Sequence, residues 1–214
     1  MQVFHRSANT LSRFSIFGAV FLVAFALWFV YQLNRSPFAT GQRDVVTQPV
    51  PFSHEHHVSG LGIDCRYCHT SVETSSFAGI PPTATCMNCH KQIWTGAAML
   101  EPVRASLREG EPIRWQRVHR LPEFVHFNHG IHIQKGIGCV SCHGRVDQMP
   151  LVWQEKPLSM SWCLECHRAP EEFVRPRDKV FDMTWEPEDQ DEIGPRLVRD
   201  YGIRSKTNCS ICHY

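Results

Sequence analysis

With 214 residues, 43% apolar side chains and a formal net charge of +1, the chain has the size of one or two folded domains. It lacks the basic excess that nucleic-acid binding demands. Against that background its 10 cysteines and 13 histidines stand out.

The first segment, residues 1–13, carries Arg6 and Arg13 and leads into Phe14 to Tyr31, an uncharged and mostly apolar run of 18 residues. As a helix rising about 1.5 Å per residue, it just spans a hydrocarbon core about 30 Å thick. A transmembrane helix is therefore expected over residues 14–33, with a linker over 34–51. The competing reading is a cleaved signal peptide, whose positive n-region Arg6 and Arg13 would supply. Against it, the run exceeds a usual h-region, and Gln32 to Pro37 offers no small-x-small cleavage site. Arg6 and Arg13 favour a cytoplasmic N-terminus, although Arg35 and Arg43 beyond the span dilute the bias.

Residues 52–90 open with Phe52-Ser53-His54-Glu55-His56-His57 and continue with two copies of Cys-x-x-Cys-His, Cys65-Arg66-Tyr67-Cys68-His69 and Cys86-Met87-Asn88-Cys89-His90. Three further copies follow, with cysteines at Cys139 and Cys142, Cys163 and Cys166, and Cys209 and Cys212, and histidines at His143, His167 and His213. No thiol is left over. A zinc site or a redox pair also begins as Cys-x-x-Cys, but neither needs a histidine after every second cysteine. Covalent haem c does: the two sulfurs bond the porphyrin edge and the adjoining imidazole reaches the iron. Five covalently bound haems are expected, and because such haem is attached outside the cytoplasmic membrane, the chain beyond about residue 35 is expected on the periplasmic side.

A connecting segment, residues 91–126, holds a predicted helical stretch from about Ala97 to Leu107, with Leu100, Val103 and Leu107 at helical spacing. Residues 127–214 then repeat earlier landmarks. Phe127-Asn128-His129-Gly130-Ile131-His132 matches the first Phe-x-His-x-x-His. Pro157 to Cys163 matches Pro81 to Cys86, and Lys91 and Arg168 follow equivalent histidines. The pattern reads as a duplicated two-haem module with a fifth haem added near the C-terminus. Residues three apart on a helical turn share a face but diverge, so each His-x-x-His can serve two different irons. His54, His57, His129 and His132 are the expected distal ligands, while His5 and His56 are read as bystanders. Nine of ten axial positions are then filled. Met160, Met149, His119 and His126 are candidates for the tenth, with methionine favoured. The long connection from Arg168 to Asn208, with its acidic run Glu186 to Glu192, reads as an exposed loop or, alternatively, a docking surface.

The resulting fold class is mainly α with little regular structure, a class III-like multihaem cytochrome c domain on one N-terminal transmembrane helix. Six-coordinate irons pass electrons without binding substrate, so the reading is an electron carrier and not an enzyme.

The duplicated Phe-x-His-x-x-His before Cys-x-x-Cys-His resembles the class III cytochrome c group. More specifically, Trp115 to Val125, Phe127-Asn128-His129, Cys142 to Met149 and Pro157 to Cys163 resemble the pentahaem membrane-anchored subunit of alternative complex III. His126 departs from the tyrosine of that place in the family. The resemblance implies a role in a quinol-oxidising complex of a respiratory or photosynthetic chain in the bacterial cytoplasmic membrane. The partners it implies are an iron-sulfur subunit related to molybdopterin oxidoreductases, polytopic quinone-site subunits and a monohaem cytochrome c. Electrons would leave to a soluble carrier or an oxidase. Two other readings are a quinol dehydrogenase of the tetrahaem membrane-anchor type, against which stands one haem too many, and a small multihaem reductase, which would require an open iron.

Overall fold

The computed structural model describes residues 4–214. The chain divides into two compact units, Met1–Gln42 and Arg43–Tyr214.

The first unit is dominated by one helix, Ser7–Arg35, several residues longer at each end than the apolar run alone predicts. It ends at Ser36, whose backbone is extended because the following Pro37 excludes the helical conformation from the residue before it. Its most apolar window has a mean hydropathy of 2.3, and none of its residues is buried. Phe21, Phe25 and Phe29 line up along it, with ring centres 6.3 and 6.4 Å apart. Its central part is apolar on every side, and the helix is long and apolar enough to cross a membrane.

The second unit is built from short helices joined by turns. Among the described residues there is no β-strand, only isolated antiparallel bridges between Val45 and Trp153 and between Ile137 and Val174. The helices are mostly those that carry the motifs: Cys65–Cys68, Thr83–His90, His129–Gln134, Cys139–His143 and Met160–Arg168. Their ends are locally encoded. Asp64, Asn128 and Ser159 each accept a hydrogen bond from a backbone N–H of the first turn they precede. The stretch expected from Ala97 forms a tight turn, Ala98–Leu100, and then the helix Glu101–Glu109, which Gly110 stops at φ +74°. Leu100 and Val103 pack with Val50, and Cys86, Met87 and Trp115 lie against that cluster.

The connection from Arg168 to Asn208 is more ordered than its acidic composition suggests. Its second half contains the helix Gln190–Asp200, which seats Leu197 in the interior. Asp189 caps it, and Asp191 and Glu192 lie in its first turn, where the positive end of the helix dipole favours them. A Cβ at Gly194 would run into the Glu171 carbonyl, so the helix lies directly on the turn Pro170–Glu172. Gln190 fixes the contact by donating to the Glu171 and Val174 carbonyls. The acidic residues stay exposed, as read, while Asp189 also caps a packed helix.

Only nine apolar side chains of the described residues are buried, Met149, Val174 and Val180 most completely. For a unit of this length that is a thin polypeptide core.

Candidate haem-binding site

The two Phe-x-His-x-x-His segments adopt the same local geometry. Phe52 stacks on His57 at 4.4 Å and meets His54 edge-on at 4.9 Å. Phe127 stacks on His132 at 4.4 Å and meets His129 edge-on at 4.8 Å. In each motif the phenyl ring wedges the two imidazoles apart so that they aim in different directions. His129 and His132 lie on the helix His129–Gln134, whereas His54 and His57 enter a wider π-type turn, Glu55–Gly60. The two pairs sit on different backbones yet diverge alike, because the phenylalanine sets the angle.

Each diverging imidazole faces the histidine of a Cys-x-x-Cys-His segment. Ring centres are 6.5 Å apart for His54 and His69, and 6.3 Å for His57 and His90. They are 6.3 Å apart for His129 and His143, and 6.2 Å for His132 and His167. An imidazole nitrogen binds a metal at about 2.0–2.1 Å, and with the ring centre roughly 1.1 Å behind that nitrogen, two imidazoles capping one iron stand about 6.3 Å apart. The residues present therefore fit an iron between the members of every pair.

Hydrogen bonds orient the rings. His69, His90, His167 and His213 donate from Nδ1 to the carbonyls of Gly79, Ile93, Lys206 and Phe124, at 2.7, 3.3, 2.8 and 2.9 Å. His57, His129 and His132 do the same to Ser53, Ser76 and Asn128. A carbonyl on Nδ1 fixes the tautomer and leaves Nε2 for a metal. His143 is the exception, its Nδ1 lying 3.2 Å from Nε2 of His119. Nδ1 of His54 is buried without a partner.

Electrostatics suit the same reading. Burial pushes His54 and His119 down to about 4 and His143 down to about 3, with neighbouring imidazoles adding to the effect. All three are held neutral, the form that ligates. Burial also pushes the Cys139 and Cys142 thiols up to about 12 and Cys166 up to about 11. Among the described residues no three His, Cys, Asp or Glu side chains converge as a closed tetrahedral metal site requires.

None of the ten cysteines is in a disulfide. Cys65, Cys68, Cys86, Cys139, Cys142, Cys163, Cys166 and Cys212 are partly buried, whereas Cys89 and Cys209 are exposed. Cys89 lies in the last turn of the helix Thr83–His90, one turn beyond Cys86, which packs against the apolar cluster of Val50, Leu100 and Val103. The second segment thus presents one sulfur to the interior and the other to the surface, so a porphyrin held by both would have one edge near solvent.

The attachment segments are tied to one another. Asn88 donates to Tyr67 at 3.0 Å, joining the first two. The first module meets the second where backbone N–H groups of Glu55 and His129 reach the Met149 and Ser76 carbonyls. The fourth segment is tied to the approach of the fifth by Ser205, which donates to the His167 carbonyl at 2.7 Å. The N–H of His126 donates to the Cys212 carbonyl at 2.8 Å. A cleft of about 440 Å³ beside the third segment is lined by Val140, Gly144, Met149 and Trp153 together with the polar Arg145, Gln148, Glu155 and Lys156.

The remaining predicted residues separate. His119 is beside His143 and His126 stacks on Tyr214 at 4.3 Å. Met149 is 2% exposed, in the core at the third segment, and Met160 is 69% exposed at the start of the helix that carries Cys163. Among the described residues no imidazole faces His213 at the common spacing, and the ring beside it is Phe124 at 5.7 Å. His56 is exposed and stacks on Trp94 at 5.9 Å, outside the pairs, and the His5 ring bonds to its neighbour Ser7. In the bare sequence Phe52 and Phe127 only mark the repeat, although their recurrence two residues before each histidine pair was the available signal of their role.

Residues 125–214 match the family described as cytochrome c7 and related cytochrome c. This part of the chain is a cytochrome c7-like multihaem domain. It contains the second His-x-x-His and the last three Cys-x-x-Cys-His segments, and haem c bound through the cysteines follows from that family. The c7-like domain covers less than half of the chain, yet the geometry of its two facing pairs recurs outside it, at His54 with His69 and His57 with His90. The chain is also 37% identical, over 98 residues, to the menaquinone reductase multiheme cytochrome c subunit of Nitratidesulfovibrio vulgaris. That likeness covers 45% of this chain and 45% of the relative, so the chain matches about half the length of the protein it resembles.

Proposed function

We propose that this chain is a membrane-anchored pentahaem cytochrome c that conducts electrons within a quinone-linked membrane complex and performs no substrate chemistry of its own. The observation that carries this reading is the set of four facing histidine pairs, each joining one Cys-x-x-Cys-His imidazole to one from the duplicated Phe-x-His-x-x-His, at the spacing an iron requires. Haem c, when bound, supplies reversible one-electron chemistry. The ten cysteines hold the porphyrin edges, Cys65 with Cys68, Cys86 with Cys89, Cys139 with Cys142, Cys163 with Cys166 and Cys209 with Cys212. His69, His90, His143 and His167 would each hold one iron from one side, and His54, His57, His129 and His132 would hold the same irons from the other. The Nδ1 bonds to main-chain carbonyls keep the imidazoles from turning. Irons closed on both sides leave no place for a substrate, which favours conduction over catalysis. The thin polypeptide core supports the same reading, because five porphyrins bring their own apolar surface to it.

His213 would hold the fifth iron, with Met160 as its partner. Met149 is sealed in the core beside the third site, whose axial positions His129 and His143 already occupy. Met160 has an exposed thioether on the helix of Cys163, whose thiol is pushed up by burial and then by the neighbouring Cys212 of the fifth segment. The helix Ser7–Arg35 is the uncleaved anchor, with the haem-bearing unit on the periplasmic face of the cytoplasmic membrane.

Within that frame the complex is alternative complex III, in which electrons from quinol oxidation pass through the haems towards a periplasmic carrier or terminal oxidase. Its other subunits are of the iron-sulfur/molybdopterin type, polytopic quinone-site proteins and a monohaem cytochrome c. The landmarks from Trp115 to Cys163 support it. A second reading has its own observation: the relative from N. vulgaris is named as a subunit of a menaquinone reductase, in which electrons would travel into the quinone pool.

One experiment tests the reading and separates the two directions. The protein is purified with its native complex from membranes, haem is counted by pyridine haemochrome, and reduction of the haems is followed after adding a menaquinol analogue or a reduced soluble cytochrome. Five haems per chain, reduced promptly by quinol and sensitive to a quinone-site inhibitor, are expected. Fewer than five overturns the pentahaem assignment. Rapid reduction by the soluble donor, followed by quinone reduction, assigns the opposite direction.

A further inference from the structure

The facing pairs account for eight histidines, and the Nδ1 partners single out a ninth. Four of the five Cys-x-x-Cys-His imidazoles donate to a main-chain carbonyl. The third alone does not: His143 meets the ring of His119, with centres 4.3 Å apart, planes at 73° and Nδ1 to Nε2 at 3.2 Å. The haem reading places Nε2 of His143 on the iron between it and His129, so the proton between the two rings belongs to Nδ1 of His143. His143 therefore donates and His119 accepts. His119 cannot itself be an axial ligand here, because it lies against the edge of His143 and the opposite side is taken by His129.

We propose that His119 is a positioning residue for the third haem, which holds the His143 imidazole by a ring-to-ring hydrogen bond and lowers that haem's reduction potential relative to a carbonyl-supported one. This rests on the haem reading above. An imidazole nitrogen is a stronger base than an amide oxygen, so it draws the Nδ1 proton further from His143. More negative charge is left on the ring that faces the iron, which favours the oxidised metal. Outer-shell partners of ligating histidines act on metal sites in this way. The third segment is also where the second module adjoins the first, through the bonds of Glu55 to Met149 and His129 to Ser76. His119 thus sets one potential at the junction of the two modules.

The test uses the haem-loaded full chain with two variants. His119→Leu fills the space without an acceptor, and His119→Gln supplies an amide oxygen of the type found at the other four sites. The five midpoint potentials are resolved by redox titration followed spectroscopically. One potential should rise, further in H119L than in H119Q, with four unmoved. The haem concerned should be the one that H129A converts to high spin. Should H119L fail to assemble, H119Q alone decides, because a rise of that one potential is still required. Equal potentials in wild type and H119Q overturn the proposal, and so does conversion of the third haem to high spin in either variant, since His119 would then be a ligand. A third segment without haem in wild type would instead overturn the reading on which the proposal rests.

Discussion

His132 faces His167 with ring planes crossed at 64°, although His129, one helical turn away from His132, lies within 15° of parallel to His143. The first module shows the same alternation, 2° for His54 with His69 and 62° for His57 with His90. Parallel axial planes split the iron d orbitals and give a rhombic low-spin signal, whereas crossed planes leave two of them near-degenerate and give strong g anisotropy. Low-temperature spin resonance of the oxidised haem-loaded protein should therefore show two bis-histidine haems of each kind and one further haem. Four bis-histidine signals of one type would contradict the alternation.

His57→Ala and His132→Ala should each open a single iron. In either variant one of five haems becomes high spin and binds one equivalent of carbon monoxide, while haem content stays the same. Wild type should bind none. The equivalence of the two variants follows from the shared Phe52 and Phe127 wedges.

Met160→Ala and Met149→Ala should have opposite profiles. The first should abolish the long-wavelength thioether-to-iron absorption without affecting stability. Met149 is one of the most deeply buried side chains, and its truncation should cost about 2–5 kcal/mol by leaving a cavity, with the haem spectrum unaltered. Loss of the band in M149A alone would exchange the roles.

Asn128→Ala removes the oxygen that accepts from the Ile131 N–H at 3.2 Å at the start of the His129–Gln134 helix. A lost cap costs about 1 kcal/mol, which at this chain length lowers Tm by roughly 2–4 °C. Calorimetry of the haem-loaded protein reads it directly.

Gly136 has φ +79°, and a Cβ there would meet the Arg175 carbonyl and the ring of Tyr201. Gly202 has φ +58° but open space around it. Gly136→Ala should thus destabilise by strain plus collision, about 1–3 kcal/mol more than Gly202→Ala, which carries strain alone. Equal losses in denaturant titrations would remove the collision from the account.

The apolar helix, the five attachment segments and the duplicated histidine pairs were legible in the chain because each is local. A thioether clamp needs two cysteines and a histidine within five positions. A span needs an unbroken apolar run, and a cap needs one side chain beside a helix start. Which imidazole faces which was not legible, since His132 meets His167 only after the chain between them has turned back on itself. The same limit hid His119, whose acceptor role depends on a contact 24 residues away in sequence. Nor could the five identical motifs show that Cys89 lies at the surface while Cys86 packs inward, because the wall behind Cys86 comes from Val50, Leu100 and Val103. Met149 and Met160 have the same chemistry, and burial alone tells them apart. The acidic residues before Gln190 are exposed and outside any helix, as read, but the packed helix that follows them was not legible, because its partner, the turn Pro170–Glu172, is supplied by packing. Covalent and helical signals act over a few bonds, so sequence determines them; pairing, burial and ring angle are set by distances between remote segments, which only the fold decides.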